Sequence, residues 1–366
     1  MNTYRIDRSY LWNYRHGPSY AGPFPRLPSG STKDFLGLRV RSRLGIAAGI
    51  LLNSRWIECY SRLGFDILTY KTVRSAHRPC YQLPNWVYLS SPPSRRRRKA
   101  RTAADPALTT IARRPRNARD VTSAVCFGMP SMEPKMWQAD VRRARRSLRR
   151  GQILVVSVVG TPGPTTRGRA GESSQREALA EDYVRCARWA AQAGAHVVEA
   201  NYSCPNVCSA EGQVYQDPRF SSELSRLLRE ALPSTPFLIK AGHFQTRASL
   251  RAFYKAVDGL ADGVILVNGV SGRVLTRKGK AAFPGHERVG ILGRLIHAPA
   301  LENVKTATTL TSKEGLRPRT LAVGGVLDEE DAADFFDAGA AAVLLGGGAA
   351  LDPQLAIRMK TAHPEW

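Results

Sequence analysis

No stretch of the chain reaches the roughly 18 consecutive apolar residues that span a bilayer, and the opening Met1-Asn-Thr-Tyr-Arg-Ile-Asp7 lacks the apolar core of a secretory signal. The expected location is cytoplasmic, with no transmembrane segment. Cysteine is sparse and scattered: Cys59, Cys80, Cys126, Cys186, Cys204 and Cys208 include no C-x-x-C pair. That pattern argues against a zinc ribbon, a disulfide framework or an iron–sulfur centre held by this chain alone. No metal is expected. A Ser-His-Asp constellation is not legible either, which turns attention away from serine hydrolase chemistry.

Acid is also in short supply, with 30 Asp and Glu against 54 Lys and Arg, for a formal charge of +24. Such a field attracts anions. The densest basic runs are Arg95 to Lys99, Arg113 to Arg116 and Arg142 to Arg150. The first two fall in a Pro-, Ser- and Ala-rich segment that reads as a loop insertion at about 91–120, and the third on a surface helix. No aromatic residue interleaves with the arginines from 93 to 120, so a base-stacking platform is lacking there and nucleic acid is not the expected partner.

What is present is organised around His196-Val-Val-Glu-Ala-Asn-Tyr-Ser-Cys-Pro-Asn206. Its first half reads as a buried parallel strand. It then changes abruptly to Asn201, Ser203, Cys204, Pro205 and Asn206, which are hydrogen-bonding groups and a potential nucleophile or base. A strand that delivers clustered polar side chains at its C-terminal end is how a (β/α)₈ barrel places its chemistry.

Residues 1–43, rich in aromatics, Pro and Gly, read as an arm packed on a barrel formed by 44–366. Strands are expected over 43–48, 65–70, 153–159, 196–200, 236–240, 263–267, 320–323 and 341–345. Helices are expected over 53–63, 135–149, 175–193, 247–257, 299–309, 328–338 and 351–360. Val125 to Ser131 reads as a strand or loop folded over the mouth, and the long connection after Asn268 as a flap. This alternation predicts an α/β fold of the (β/α)₈ TIM barrel type, with an N-terminal arm and a basic insertion.

The polar ends converge. Lys71, Asn201, Cys204, Asn206, Lys240 and Asn268 come from four strand ends and suit a planar, polar, anionic ring together with a cofactor. Gly324-Gly325 and Gly346-Gly347 end the seventh and eighth strands, where bare backbone N–H groups can hold a phosphate.

These residues carry a resemblance. Asn201-Tyr-Ser-Cys-Pro-Asn206 is similar to the N-x-S-C-P-N signature of the dihydroorotate dehydrogenase family, FMN-dependent (β/α)₈ barrels of pyrimidine biosynthesis. The likeness runs over roughly 38–360 and includes Ala47-Ala-Gly49, Tyr70-Lys-Thr72, Phe127-Gly-Met-Pro130, Ile239-Lys240, Val267-Asn268, Val323-Gly-Gly325 and Leu345-Gly-Gly347, in the family's order. It implies an FMN oxidoreductase of the cytosolic, cysteine-using class, in which Cys204 takes a proton from dihydroorotate while hydride passes to flavin N5. It further implies that Lys71, Phe127, Gly128, Met129, Asn201, Asn206 and Asn268 meet the substrate. Ala48, Gly49, Lys71, Thr72, Asn201, Lys240, Gly293, Gly324, Gly325, Gly346 and Gly347 would meet the flavin. Where the family commonly has Asn-Ser before F-G-M-P, this chain has Val125-Cys126, and Gly269 follows Asn268 where the family often has Ser or Thr. Two alternatives stay open: a dihydropyrimidine-dehydrogenase-like enzyme for another cyclic amide, and a silent flavin-binding protein whose insertion meets a polyanion. A homodimer and an electron-transfer partner or soluble acceptor are further expectations.

Overall fold

The computed structural model describes residues 3–28, 31–90, 107–163, 169–203 and 213–366. Eight parallel strands close into one barrel: β1 (Leu44–Ile46), β2 (Ile67–Val73), β3 (Ile153–Val158), β4 (Val197–Asn201), β5 (Phe237–Lys240), β6 (Gly263–Leu266), β7 (Arg319–Val323) and β8 (Val343–Leu345). They pair in chain order, and β8 returns to β1 through Leu344 opposite Gly45. The strands are apolar runs because both of their faces are covered, by helices outside and by one another within. The fold is the α/β barrel expected from the alternation.

Side chains alternate across a strand, so residues two apart share a face. Ile67, Ile153, Val197, Leu238, Ile265 and Leu321 therefore point inward near the strand starts, where they share one apolar cluster with Phe35 and Val40. The latter two belong to an antiparallel hairpin, Lys33–Phe35 with Leu38–Val40, which plugs the bottom of the barrel. The same parity carries Lys71, Ser157, Glu199, Asn201 and Lys240 into the upper interior. Apolar filling below and polar filling above leave the chemistry to the C-terminal mouth.

A second sheet, of five strands closed on itself, covers that mouth. It joins Trp86–Leu89, Leu108–Ile111, Thr122–Val125, Val270–Leu275 and Arg288–Gly293. The connection after Asn268, expected as a flap, is thus a pair of strands, and the insertion expected as loop contributes the strand Leu108–Ile111 against Tyr88 and Leu89. Residues 91–106 lie outside the described residues. The N-terminal arm runs up the wall, with Tyr4 and Tyr10 buried in the main core beside Trp56, Trp86 and Met129. Its Thr3 donates from its backbone N–H to Ala350 O at 2.9 Å, tying the arm to the region after β8. At the other end of the barrel the Lys360 ammonium lies 2.5 Å from Asp66, whose carboxylate also accepts from Ser42 at 2.7 Å.

Several helices differ from expectation. Tyr10–His16 and Pro218–Ala231, the latter capped by Asp217 on the Phe220 N–H, were not foreseen; Arg169–Gln192 and Arg294–Glu314 start earlier than the expected 175 and 299, the latter with Pro299 inside it; and the helix expected over 351–360 is two, Gly347–Leu351 and Leu355–Ala362. Among the described residues, no helix is long and apolar enough to cross a membrane.

Candidate active site

One cavity occupies the mouth, between the ends of the barrel strands, the five-stranded sheet and the arm. Lys71, Asn201, Lys240 and Asn268 line it from four different strand ends, together with Ala48, Gly49, Thr72, Phe127, Met129, Gly293, Gly324, Gly325, Gly346 and Gly347. Gly128 departs from the expectation. It does not line the cavity; a Cβ there would come within 2.6 Å of the Tyr81 ring, and its carbonyl instead accepts from Arg78 Nε at 3.1 Å. Cys204 and Asn206 lie outside the described residues. Ser203, the last described residue before them, is buried, and its carbonyl accepts a hydrogen bond from Asn268 Nδ2.

Lys71 is buried and sits within β2 rather than beyond its end. Its ammonium donates to the carbonyls of Thr72, at 2.5 Å, and Pro130, and it lies 5.8 Å from the Tyr10 ring centroid. Burial above all, with the charges of Arg74 and Lys240 adding to it, pushes Lys71 down to about 7, Cys80 acting in the opposite sense. The cation is therefore poised to gain or lose its proton near neutrality.

Asn201 is the hub of a polar network. Its amide donates to Thr72 Oγ1 at 3.4 Å, and its carbonyl oxygen accepts from Asn268 Nδ2 and from the Ser203 N–H, both at 3.3 Å. Thr72 Oγ1 is 2.9 Å from Ser157 Oγ, which donates to Glu199 at 2.6 Å, and Glu199 pairs with Lys240 at 2.8 Å. The residues after Phe127 are held from below by Arg74, which donates from Nε to Met129 O at 3.3 Å while Trp137 Nε1 caps the Arg74 carbonyl at 3.0 Å.

Opposite this polar floor the wall is aromatic. Tyr4, Tyr10, Trp86 and Phe127 line the cavity and touch one another, with Tyr4 and Trp86 centroids 5.6 Å apart and Tyr4 and Phe127 at 5.9 Å. Tyr10 Oη and Trp86 Nε1 are buried without a hydrogen-bond partner among the described residues. Buried donors of this kind call for an acceptor brought by a ligand.

At the far side the glycines do two different things. A Cβ on Gly293 would sit 2.2 Å from Val121 O, on Gly325 2.7 Å from Gly293 O, and on Gly348 2.1 Å from Val326 O, so close packing of backbone on backbone demands glycine. At Gly346 a Cβ would meet nothing within 4 Å, and at Gly347 only Trp86 at 3.7 Å, so those two present bare backbone to open cavity.

Glu199, Ser157, Arg74, Tyr4, Tyr10 and Trp86 were not among the expected site residues. Glu199 had a signal, a carboxylate in an apolar strand at the same parity as Asn201. Trp86 had none, because its strand is made by pairing across the mouth.

Comparison with known proteins agrees with this geometry. A family model described as dihydroorotate dehydrogenase matches residues 128–361. The chain is 31% identical over 368 residues to a dihydroorotate dehydrogenase of Dictyostelium discoideum, covering 97% of this chain and 95% of that protein. It is 32% identical over 175 residues to the catalytic subunit of the NAD(+) dihydroorotate dehydrogenase B of Fusobacterium nucleatum, covering 47% of this chain and 55% of that one. Among solved structures, that of DHODH from Eimeria tenella in complex with ferulenol matches with a TM-score of 0.66 at 17% identity, covering 90% of this chain and 82% of that one, a likeness of fold.

Proposed function

The chain belongs to the dihydroorotate dehydrogenase family, oxidoreductases acting on CH–CH bonds with FMN, and from that premise we propose that it oxidises dihydroorotate to orotate at the barrel mouth. The observation that carries the proposal is the convergence of Lys71, Asn201, Lys240 and Asn268 on one cavity that also exposes bare glycine backbone. The residues present fit FMN. Gly346 and Gly347 face the cavity with bare backbone that a phosphate could approach, Gly293 and Gly325 line it as well, and Lys240 would supply a cation to the ring system. When bound, FMN accepts the hydride that leaves the substrate ring.

The protein's own residues do the rest. Lys71 pairs with the substrate carboxylate, and Asn201 and Asn268, each already oriented by the other, present amides to the ring edge. Asn206 would add a third amide, and Cys204 would take the proton from the ring carbon. A thiolate is a competent base near neutral pH. The aromatic wall excludes water from the other face of the site.

Val125 lines the cavity in place of a polar side chain, and Cys126 is buried with its backbone N–H on Asn85 O at 2.9 Å. That observation favours, as a second reading, another cyclic amide that needs fewer hydrogen bonds at this edge. The test is anaerobic stopped-flow mixing of the flavin-loaded protein with dihydroorotate. Rapid bleaching of the flavin absorbance, slowed at least a hundredfold in Cys204→Ser, is expected. Flavin that stays oxidised with dihydroorotate yet bleaches with dihydrouracil would move the assignment to the second reading.

A further inference from the structure

Glu199 has no part in the reaction proposed above, yet it is fully buried inside the barrel at the level of the cavity floor. One carboxylate oxygen lies 2.8 Å from Lys240 Nζ and accepts from Ser157 Oγ at 2.6 Å, while the other has no partner among the described residues. Ser157 continues through Thr72 to Asn201. Thr72, Asn201 and Lys240 line the cavity, whereas Glu199 and Ser157 stand behind them. As a stability device this arrangement is poor, since desolvating two charges and leaving one oxygen unpaired costs more than an apolar side chain of the same size would.

We propose that Glu199 is a positioning residue that pins the Lys240 ammonium at the cavity floor and offsets its charge, thereby holding down the reduction potential of FMN bound above it. The proposal rests on the reading that FMN occupies this cavity. Two-electron reduction adds negative charge to the isoalloxazine ring, and a nearby cation favours the reduced form. A carboxylate 2.8 Å behind that cation opposes the effect, in an interior where water screens little. The flavin is thereby left willing to pass its electrons to an acceptor. Ser157 fixes which carboxylate oxygen faces Lys240.

The test compares wild-type protein with Glu199→Gln, which keeps the shape and removes the charge. FMN affinity is read by quenching of flavin fluorescence, and the midpoint potential by reductive titration against a reference dye. Glu199→Gln is expected to bind FMN and to favour the reduced form at least tenfold more than wild type, which for a two-electron couple is a rise of about 30 mV. Glu199→Asp, which restores the carboxylate, should bring the potential back toward the wild-type value. Should the Gln variant fail to fold, Glu199→Leu fills the same interior without a polar atom and should shift the potential in the same direction. A flavin-loaded Gln or Leu variant with an unchanged or lowered potential overturns the role of Glu199 and leaves the FMN reading standing. Wild-type protein that takes up no FMN removes the FMN reading, and this proposal with it.

Discussion

Lys71 should take up a proton when an anionic ring binds beside it. In the free site, burial holds its ammonium down to about 7, so the neutral amine prevails above neutral pH and the charged form below it. A carboxylate placed within hydrogen-bond distance favours the charged form and returns the group toward its ordinary range. Binding of orotate should then take up a larger fraction of a proton per site at pH 8 than at pH 7, and little at pH 6. The sign follows from the depressed value: the free site is short of a proton above pH 7, and the ligand restores it. Calorimetric titration in two buffers of different ionisation enthalpy measures the uptake directly. A binding enthalpy that is independent of buffer at pH 8, or an uptake that persists in Lys71→Met, would refute the assignment of Lys71 as the carboxylate partner.

Lys360→Met should lower stability by about 3–5 kcal/mol, because it strands the fully buried Asp66 carboxylate with only Ser42 and Gln152 as neutral partners; a urea midpoint unchanged from wild type would contradict this. Gly347→Ala should leave the unfolding free energy measured in urea within about 0.5 kcal/mol of wild type, its methyl meeting only Trp86 at 3.7 Å, while weakening FMN binding at least tenfold in a fluorescence titration. Gly348→Ala, whose methyl would press within 2.1 Å of Val326 O, should instead cost about 1–3 kcal/mol in the same urea experiment.

The barrel was legible because its strands are short apolar runs closed by Gly, Asn or Lys, and because helices of ordinary length separate them. Lys71, Asn201 and Lys240 could be named from sequence because each stands at the polar end of an apolar run, and parity along the strands carries them into the upper interior. The five-stranded sheet was not legible. Val270–Leu275 and Arg288–Gly293 contain Gly and Arg at positions where an isolated strand gains little, and they persist because each pairs with a neighbour brought over the mouth by the barrel. The helix Arg294–Glu314 begins directly after Gly293, five residues before the expected start, with Pro299 inside it. Tyr4 and Tyr10 of the arm are buried in the main core. That Tyr4 and Tyr10 also wall the cavity depends on the Thr3 to Ala350 contact, a pairing across most of the chain that no local pattern encodes.

That contact sets an order of assembly during synthesis. Thr3 and its partner Ala350 are 347 residues apart, an interval of roughly 17–70 s at ordinary rates of chain elongation. For that time Tyr4, Tyr10 and the face of Trp56 they cover have nowhere to dock, and the cavity has no outer wall. A ribosome-bound chain should consequently be unable to hold a flavin until its last strand has emerged, and its early aromatic residues should be the ones a holdase chaperone grips.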